Sequence, residues 1–500
     1  SWRVQYLLPL SRGRLQALSI AWDARPATEG GQRWYHLYPD EKIDYKDPLH
    51  WTGTYQNWNT SCAECHSTDL KKNYTAATRS FDTQFAELNV GCEACHGPGE
   101  KHLQLAEAGT LDDAPNGGFP TALAQRTTPL ASNAQIDSCA RCHSRRGTLG
   151  DYHYGADLLD THRLAMPQWP LYYPDGQIRD EVYVYGSFVQ SKMHQAGVVC
   201  SNCHEPHSLQ LRAPGNDVCA QCHVPTRYDT PQHHHHLEGS PGADCANCHM
   251  PETTYMGVDP RRDHSMRVPR PDLTMVMGTP NACNQCHQQQ DAQWALAALK
   301  QWGVQFRDTS THPARAFQRI ADTQMLYDDD PMLRASTVRA IEFLPLQQRL
   351  QLLDYLIDDP VTTVRMEVAS SLASVPLEQI PPEQATRLRA LFDEYVSTLQ
   401  QDADMPGVQL QMGIFFVNRG DFAAAEAAYR EALYLNSQLI PAYLNLADLL
   451  RGQNRDDAAR EVLLEALAVA PENGNTLHAL GLLETRSGKP GASLAYLKQA

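Results

Sequence analysis

The sequence predicts a mainly α-helical fold in three parts. A small β part comes first, a compact domain without an ordinary side-chain core follows, and an α-solenoid completes the chain. Three observations predict this. The pattern CxxCH occurs seven times between Cys62 and His287 and uses all fourteen cysteines. Small residues recur at a spacing of 34 from residue 405 onward, as in Met412-Gly413, Leu446-Ala447 and Leu480-Gly481. Short alternating apolar runs precede the first motif.

The motifs carry the chemistry. They are Cys62/Cys65/His66, Cys92/Cys95/His96, Cys139/Cys142/His143, Cys200/Cys203/His204, Cys219/Cys222/His223, Cys245/Cys248/His249 and Cys283/Cys286/His287. In CxxCH the thiols are spaced to form thioethers with two porphyrin vinyl groups, and the adjacent histidine then lies under the iron as proximal ligand. A disulfide framework gives no reason for a histidine after every second cysteine. A zinc site needs two more ligands from elsewhere, and a histidine adjacent to the second cysteine is poorly placed for the same tetrahedron. The expected cofactor is therefore haem c, seven per chain. With only about 32 residues per motif between Cys62 and His287, side chains alone cannot build a core around each one. The expectation is a multihaem cytochrome c domain with haems as the core.

A net charge of −16 and the absence of basic clusters argue against nucleic acid as a partner. No run of about eighteen apolar residues suggests a membrane span. The first strand candidate begins almost at Ser1, so the N-terminal part is expected to be cut. Haem is ordinarily attached outside the cytoplasmic membrane, so the chain is expected to be exported, periplasmic or extracellular, and already trimmed.

Four segments are expected. In residues 1–60, Val4–Leu8 and Arg14–Ile20 read as strands joined by a turn at Ser11–Gly13. The aromatics Trp34, Tyr35, Tyr38, Tyr45, Trp51, Tyr55 and Trp58 read as packing against the first haem. Residues 61–289 bear the haems on short helices and loops. Residues 290–404 open with an amphipathic helix at Trp294–Trp302. A HEAT-like repeat over 310–380 follows, in which Asp330-Pro331, Arg334, Val338 and Ile341 recur as Asp359-Pro360, Arg365, Val368 and Leu372. Residues 405–500 have the tetratricopeptide period, with Ala425, Ala459 and Ser493 in register, as are Ala432, Ala466 and Ala500. Tyr429, Leu463 and Leu497 hold the large position. The chain stops inside the third unit, so more sequence is expected to follow.

Function turns on the sixth coordination position. Of 21 histidines, seven are proximal. His312 and His478 read as surface residues of the repeats. The remaining candidates for distal ligands are His36, His50, His102, His153, His162, His194, His207, His264 and one of the run His233–His236, with His234 chosen from that run. His207, His102 and His194 are too near the motifs at 200–204 and 92–96 for the chain to pass to the other porphyrin face. As ligands each must serve a neighbouring haem. The alternative for each is a solvated or carboxylate-bonding histidine. Arg261 and Arg262, just before His264, are available for haem propionates.

The segments Cys92-Glu-Ala-Cys-His-Gly-Pro-Gly-Glu-Lys-His102, Cys200-Ser-Asn-Cys-His-Glu-Pro-His207 and the histidine run leading to Cys245-Ala-Asn-Cys-His-Met-Pro251 resemble a known group. It is the group of multihaem cytochromes that includes hydroxylamine oxidoreductase, octahaem tetrathionate reductase and the pentahaem nitrite reductases. Members with C-terminal tetratricopeptide repeats resemble nearly the whole chain, including Gly30–Asp40 and Asp47–Gly53. The resemblance implies exported electron-transfer proteins with haems in alternating parallel and perpendicular pairs. It also implies distal roles for His102, His207 and a histidine of the run. The relatives usually begin with one more CxxCH segment, and no CxxCK, the substrate-haem signature of the nitrite reductases, occurs here.

The functional expectation is electron transfer along closely packed bis-histidine haems. The solenoid is expected to dock redox partner proteins or copies of the same chain, up to an extracellular filament. The alternative is an oxidoreductase acting on a small nitrogen or sulfur compound at one five-coordinate haem. A third reading makes the solenoid scaffold the main function.

Overall fold

The computed structural model describes residues 3–119, 129–306 and 322–500. His312 and the start of the 310–380 repeat lie outside the described residues. The fold is mainly helical, with a small N-terminal strand part, and divides into two compact units.

One unit combines residues 1–90, 344–360 and 365–500. Its N-terminal strands β1 (Arg3–Pro9), β2 (Leu15–Asp23) and β3 (Arg33–His36) form an antiparallel meander in the order β1-β2-β3. Ala17 and Ala21 of β2 are buried. Buried Gln16 donates to the carbonyls of Trp51 (2.8 Å) and Gly53 (3.0 Å) and accepts from Asn57 at 3.1 Å. Asn59 accepts from the Leu15 amide at 2.8 Å and donates to Thr83 Oγ1 at 2.8 Å. Through these bonds the sheet holds the short helices Trp58–Ser61 and Ala63–His66, which carry the first motif. Of the aromatics expected to pack against the first haem, Trp58 is buried and lies edge-on to Phe85 at 5.8 Å, whereas Trp34, Tyr45 and Tyr55 are exposed. Trp34 lies instead against Trp22 and Tyr6 on the sheet, where a cross-strand aromatic pair gains contact without burial.

The C-terminal helices follow the predicted period. First helices span Pro406–Arg419, Ile440–Gly452 and Gly474–Arg486, and second helices span Phe422–Leu435, Asp456–Val469 and Pro490–Leu497. Ala425, Ala432, Ala459 and Ala466 are almost fully buried between the two helices of each pair, while Ala500 is exposed. At Gly413 the approach is closest: a Cβ there would meet the Tyr429 ring at 2.3 Å. Small residues at these positions let helices pack at short axial distance.

The second unit combines residues 91–343 and 361–364. Most of it is short helices, two-residue to four-residue ladders and turns, with a small apolar cluster of Ile136, Phe188 and Val199. The expected amphipathic helix forms at Ala292–Gln301, N-capped by Asp291, and buries Ala295 and Leu299. The helix Pro331–Ala340 also belongs here, with Ser336 Oγ 3.2 Å from Met166 Sδ. Thr363 donates to the Leu159 carbonyl at 2.7 Å. The two HEAT-like copies share a local device. Arg334 donates to the Asp328 carbonyl (2.8 Å) and Arg365 to the Asp359 carbonyl (2.7 Å), each closing the turn before its own helix.

Replacing Gly413 by leucine should overpack the first helical pair and cost about 1–3 kcal/mol. The measurement is thermal unfolding followed by far-ultraviolet circular dichroism. An unchanged midpoint would mean that Tyr429 moves aside freely and that the close approach is not needed.

Candidate cofactor and metal-ligand site

Each motif is built on about one helical turn. The helices are Ala63–His66, Cys92–His96, the end of Pro129–His143, Cys200–Cys203, Asp217–Ala220, Cys245–His249 and Ala282–Cys286. In a helical turn, positions i and i+3 share a face, so both thiols of a motif point the same way and the histidine begins the next step of the chain. Side-chain caps start some of these turns, as where Asn281 accepts from the Asn284 amide at 3.2 Å. No two of the fourteen cysteines pair in a disulfide.

Three motifs differ from a short helix that contains both cysteines, and in the first the helix Ala63–His66 begins just after Cys62. In the third, Cys139 and Cys142 sit half-buried near the end of a fifteen-residue helix, Pro129–His143. The helix is longer because no glycine or proline interrupts the run from Leu130 to His143. In the fifth, the helix Asp217–Ala220 ends before Cys222 and His223, both of which are exposed. The turn nevertheless closes, since the His223 amide donates to the Cys219 carbonyl at 2.9 Å.

Four motif histidines face a second imidazole. His96 faces His207 with ring centres 6.2 Å apart and parallel planes. His204 faces His264 at 6.3 Å, and His249 faces His233 at 6.3 Å. His287 faces His236 at 6.1 Å. A metal–imidazole bond of about 2.0–2.1 Å, plus about 1.1 Å from nitrogen to ring centre, separates two imidazoles on opposite sides of one metal by ~6.2 Å. The donor geometry therefore fits a haem iron between each pair.

His223 is placed differently. Its ring meets Tyr228 edge-on, with centres 5.7 Å apart and planes at 90°. The reason is local: Val224 and the helix Pro225–Tyr228 follow the motif at once and fold the tyrosine back onto it. Tyr228 also lies edge-on to His233 at 5.4 Å, so one phenol ring touches the histidines of two neighbouring sites.

One ring of every imidazole pair is oriented through Nδ1. His207 bonds the Glu205 carboxylate at 3.1 Å, His264 the Arg262 carbonyl at 2.9 Å, His249 the Arg267 carbonyl at 2.9 Å, and His236 the His234 carbonyl. Such a bond fixes the tautomer and leaves Nε2 as the free donor atom. Burial holds the His143, His204 and His264 imidazoles below the ordinary histidine value, which favours the neutral ligating form.

One further observation suits a porphyrin. Arg267 donates from Nε to Ser265 (2.8 Å) and from Nη1 to Asp175 (3.2 Å), while its buried Nη2 has no partner. An orphaned cationic N–H whose backbone carbonyl holds His249 suits a haem carboxylate.

Motifs that follow one another in sequence also adjoin in space within the second unit. The Cys139 thiol hydrogen-bonds Cys200 and lies within electrostatic reach of Cys95 and of Cys142 in its own motif. Cys203 lies within the same reach of Cys219 and Cys222, Cys219 hydrogen-bonds Cys245, and Cys248 neighbours Cys283 and Cys286. His143 is close to the His204–His264 pair.

Of the candidate distal histidines, His207 and His264 stand opposite motif histidines, and His207 faces His96 rather than His204 of its own motif. The expected member of the run is His234, whereas the structure brings His233 and His236 opposite motif histidines. His234 accepts from the His236 amide at 3.1 Å. All four run residues look alike in one dimension, and only the turn at His235, with φ 55°, sends His233 and His236 to different motifs. His102 bonds the Gly117 carbonyl through Nδ1 at 2.8 Å and stacks on Phe119 at 4.3 Å. His194 lies edge-on to Phe188 at 5.6 Å. His36 accepts from the Tyr38 amide at 3.1 Å, and His50 bonds Thr52 Oγ1 at 2.8 Å. His153 is exposed, and buried His162 bonds Thr161 Oγ1 at 2.9 Å.

Comparison with known proteins adds three family matches. Residues 28–97 match the family described as cytochrome c554 and c-prime, and residues 193–228 match the doubled CXXCH motif. Residues 407–439 and 440–473 match the tetratricopeptide repeat. No curated protein sequence matches the chain. Among solved structures, an outer cell wall cytochrome, OcwA, aligns over 73% of this chain and 85% of its own, with 16% identity and a TM-score of 0.39. MamA aligns over 31% of this chain and 85% of its own, with 17% identity and a TM-score of 0.22. Among the described residues no helix is long and apolar enough to cross a membrane. The matched segments and the CxxCH turns together identify the chain as a multihaem c-type cytochrome with C-terminal tetratricopeptide repeats.

Proposed function

We propose that the chain carries electrons along seven haems c held in sequence order, most of them between two histidines, and that its solenoid docks redox partners or further copies of the chain. Haem c supplies reversible one-electron chemistry at iron. The polypeptide supplies spacing, axial imidazoles and a largely polar surround. The observation that carries the reading is the succession of neighbouring motifs from Cys95 to Cys286, each within reach of the next. Four opposed imidazole pairs support it further, since an iron with two protein ligands has no open position for substrate and serves electron transfer best. An exported location, periplasmic or extracellular, belongs to the same reading because haem c is attached there. The tetratricopeptide repeats support a docking role, since such solenoids present extended binding surfaces.

The oxidised protein should be low-spin at every haem by electron paramagnetic resonance, with seven haems per chain by mass spectrometry. A high-spin ferric signal equal to one haem, with cyanide binding at that stoichiometry, would replace the electron-transfer reading by catalysis at an open iron.

His207→Ala should turn one haem high-spin, the one attached at Cys92 and Cys95, and leave the haem at Cys200 and Cys203 with both axial ligands. Added imidazole should restore the low-spin spectrum. Loss of ligation at the Cys200/Cys203 haem instead would refute the pairing of His207 with His96.

A further inference from the structure

The first motif lies in the same compact unit as the solenoid, and its surroundings are tied to solenoid residues by charge. Thr60, two residues before Cys62, hydrogen-bonds the Asp404 carboxylate. The Lys72 ammonium lies 2.6 Å from Asp402 Oδ1 and 3.0 Å from Asp404 Oδ1, with all three side chains largely shielded from water. Burial alone would lower the lysine pKa, but the two carboxylates outweigh it and hold the group above its ordinary value. The Lys72 carbonyl accepts from Thr83 Oγ1 at 2.9 Å, and Thr83 accepts from Asn59, next to Thr60 in the helix that leads into the motif. On the same side Arg79 pairs with Glu431 at 2.5 Å and stacks over the Tyr434 ring at 3.8 Å. Thr54 donates to the Leu435 carbonyl at 2.9 Å. The segment 54–83, which contains Cys62, Cys65 and His66, is thus held at several points by the loop 402–404 and the helix Phe422–Leu435.

Exposed ion pairs of this kind contribute little, but a shielded lysine between two carboxylates is costly to break from one side. Arg3 is the charged group within electrostatic reach of Cys62 and His66, so Lys72, Asp402 and Asp404 act on the first motif through the segment they hold.

We propose that Lys72, clamped by Asp402 and Asp404, is a positioning residue that makes the first tetratricopeptide hairpin part of the housing of the first haem. The solenoid then does not act as a detachable docking arm. Its state sets the ligation and redox potential of the haem at Cys62 and Cys65. The inference rests on haem attachment at those cysteines, not on the direction of electron flow or on the spin state of the other haems.

The test uses the full chain in three forms: wild type, Lys72→Met and Lys72→Arg. Hydrogen–deuterium exchange and a spectroscopic redox titration are run on each. In Lys72→Met, peptides spanning 54–88 should exchange at least tenfold faster. A fraction of the titration equal to one haem should shift its midpoint. Lys72→Arg, which keeps the charge, should restore both, and peptides in 440–497 should stay protected in every form. Wild-type exchange and an unchanged titration in Lys72→Met would overturn the proposal. So would equal loosening of 440–497, because that would make Lys72 a general stabiliser of the unit. A midpoint shift that Lys72→Arg fails to rescue would also overturn it, by removing charge as the cause.

Discussion

The spacing between opposed imidazoles is the constraint on which the second unit depends. Rings 6.1–6.3 Å apart at their centres leave room for a metal ion between the nitrogens, and four separate pairs hold that spacing. Most of the motif helices have four or five residues, far below the length at which a helix is stable alone in water. Buried apolar side chains in this unit, among them Leu158, Tyr172, Leu326 and Val338, are spread among these short elements beside the cluster of Ile136, Phe188 and Val199. On the proposed reading, covalent attachment and axial ligation would add the order that such short helices lack alone. The pairings also join distant motifs: His207 reaches back to His96, and His236 reaches forward to His287. Each such pairing brings two attachment segments together.

The motifs and the solenoid were legible in the sequence because both are local patterns. CxxCH needs only one helical turn, and the 34-residue period places Gly413, Ala447 and Gly481 without knowledge of anything distant. The short distance from Cys203 to His207 excluded a ligand for the same haem, and His207 faces His96. Discrimination within His233–His236 was out of reach, since it depends on a left-handed turn at His235 and on where two other motifs lie. The motif pattern also makes His223 look like its six counterparts, while its exposure and its contact with Tyr228 follow from the short helix just after it. His36 and His50 show the opposite limit. They were counted because of their residue type, and their Nδ1 atoms are bound within their own turns to the Tyr38 amide and Thr52.

A sequence read in order also suggests divisions that the folded chain does not keep. The first motif packs with the solenoid helices in one unit, and the helix Pro331–Ala340 packs with the haem-bearing loops in the other. Lys72 meets Asp402 and Asp404 across more than three hundred residues, so no window of sequence contains both sides of the contact. The Asp-Pro pairs suggested the repeat, but the turn that Arg334 and Arg365 both close matches Asp328 with Asp359, so Asp330 and Asp359 are not equivalent in the fold. The second copy is itself divided, since Val361–Val364, with Thr363 donating to the Leu159 carbonyl, groups with the second unit and the residues from Arg365 onward with the first.

These two kinds of order suit different tasks. In the second unit successive motifs lie within a few side chains of one another, the spacing that a chain of redox centres needs. In the first unit the solenoid has an ordinary core, with Leu446, Leu450 and Leu480 fully buried, so it is stable by side-chain packing alone. A part that folds without cofactor can brace one that depends on it. The Lys72–Asp404 and Arg79–Glu431 contacts place that bracing at the segment that carries the first motif.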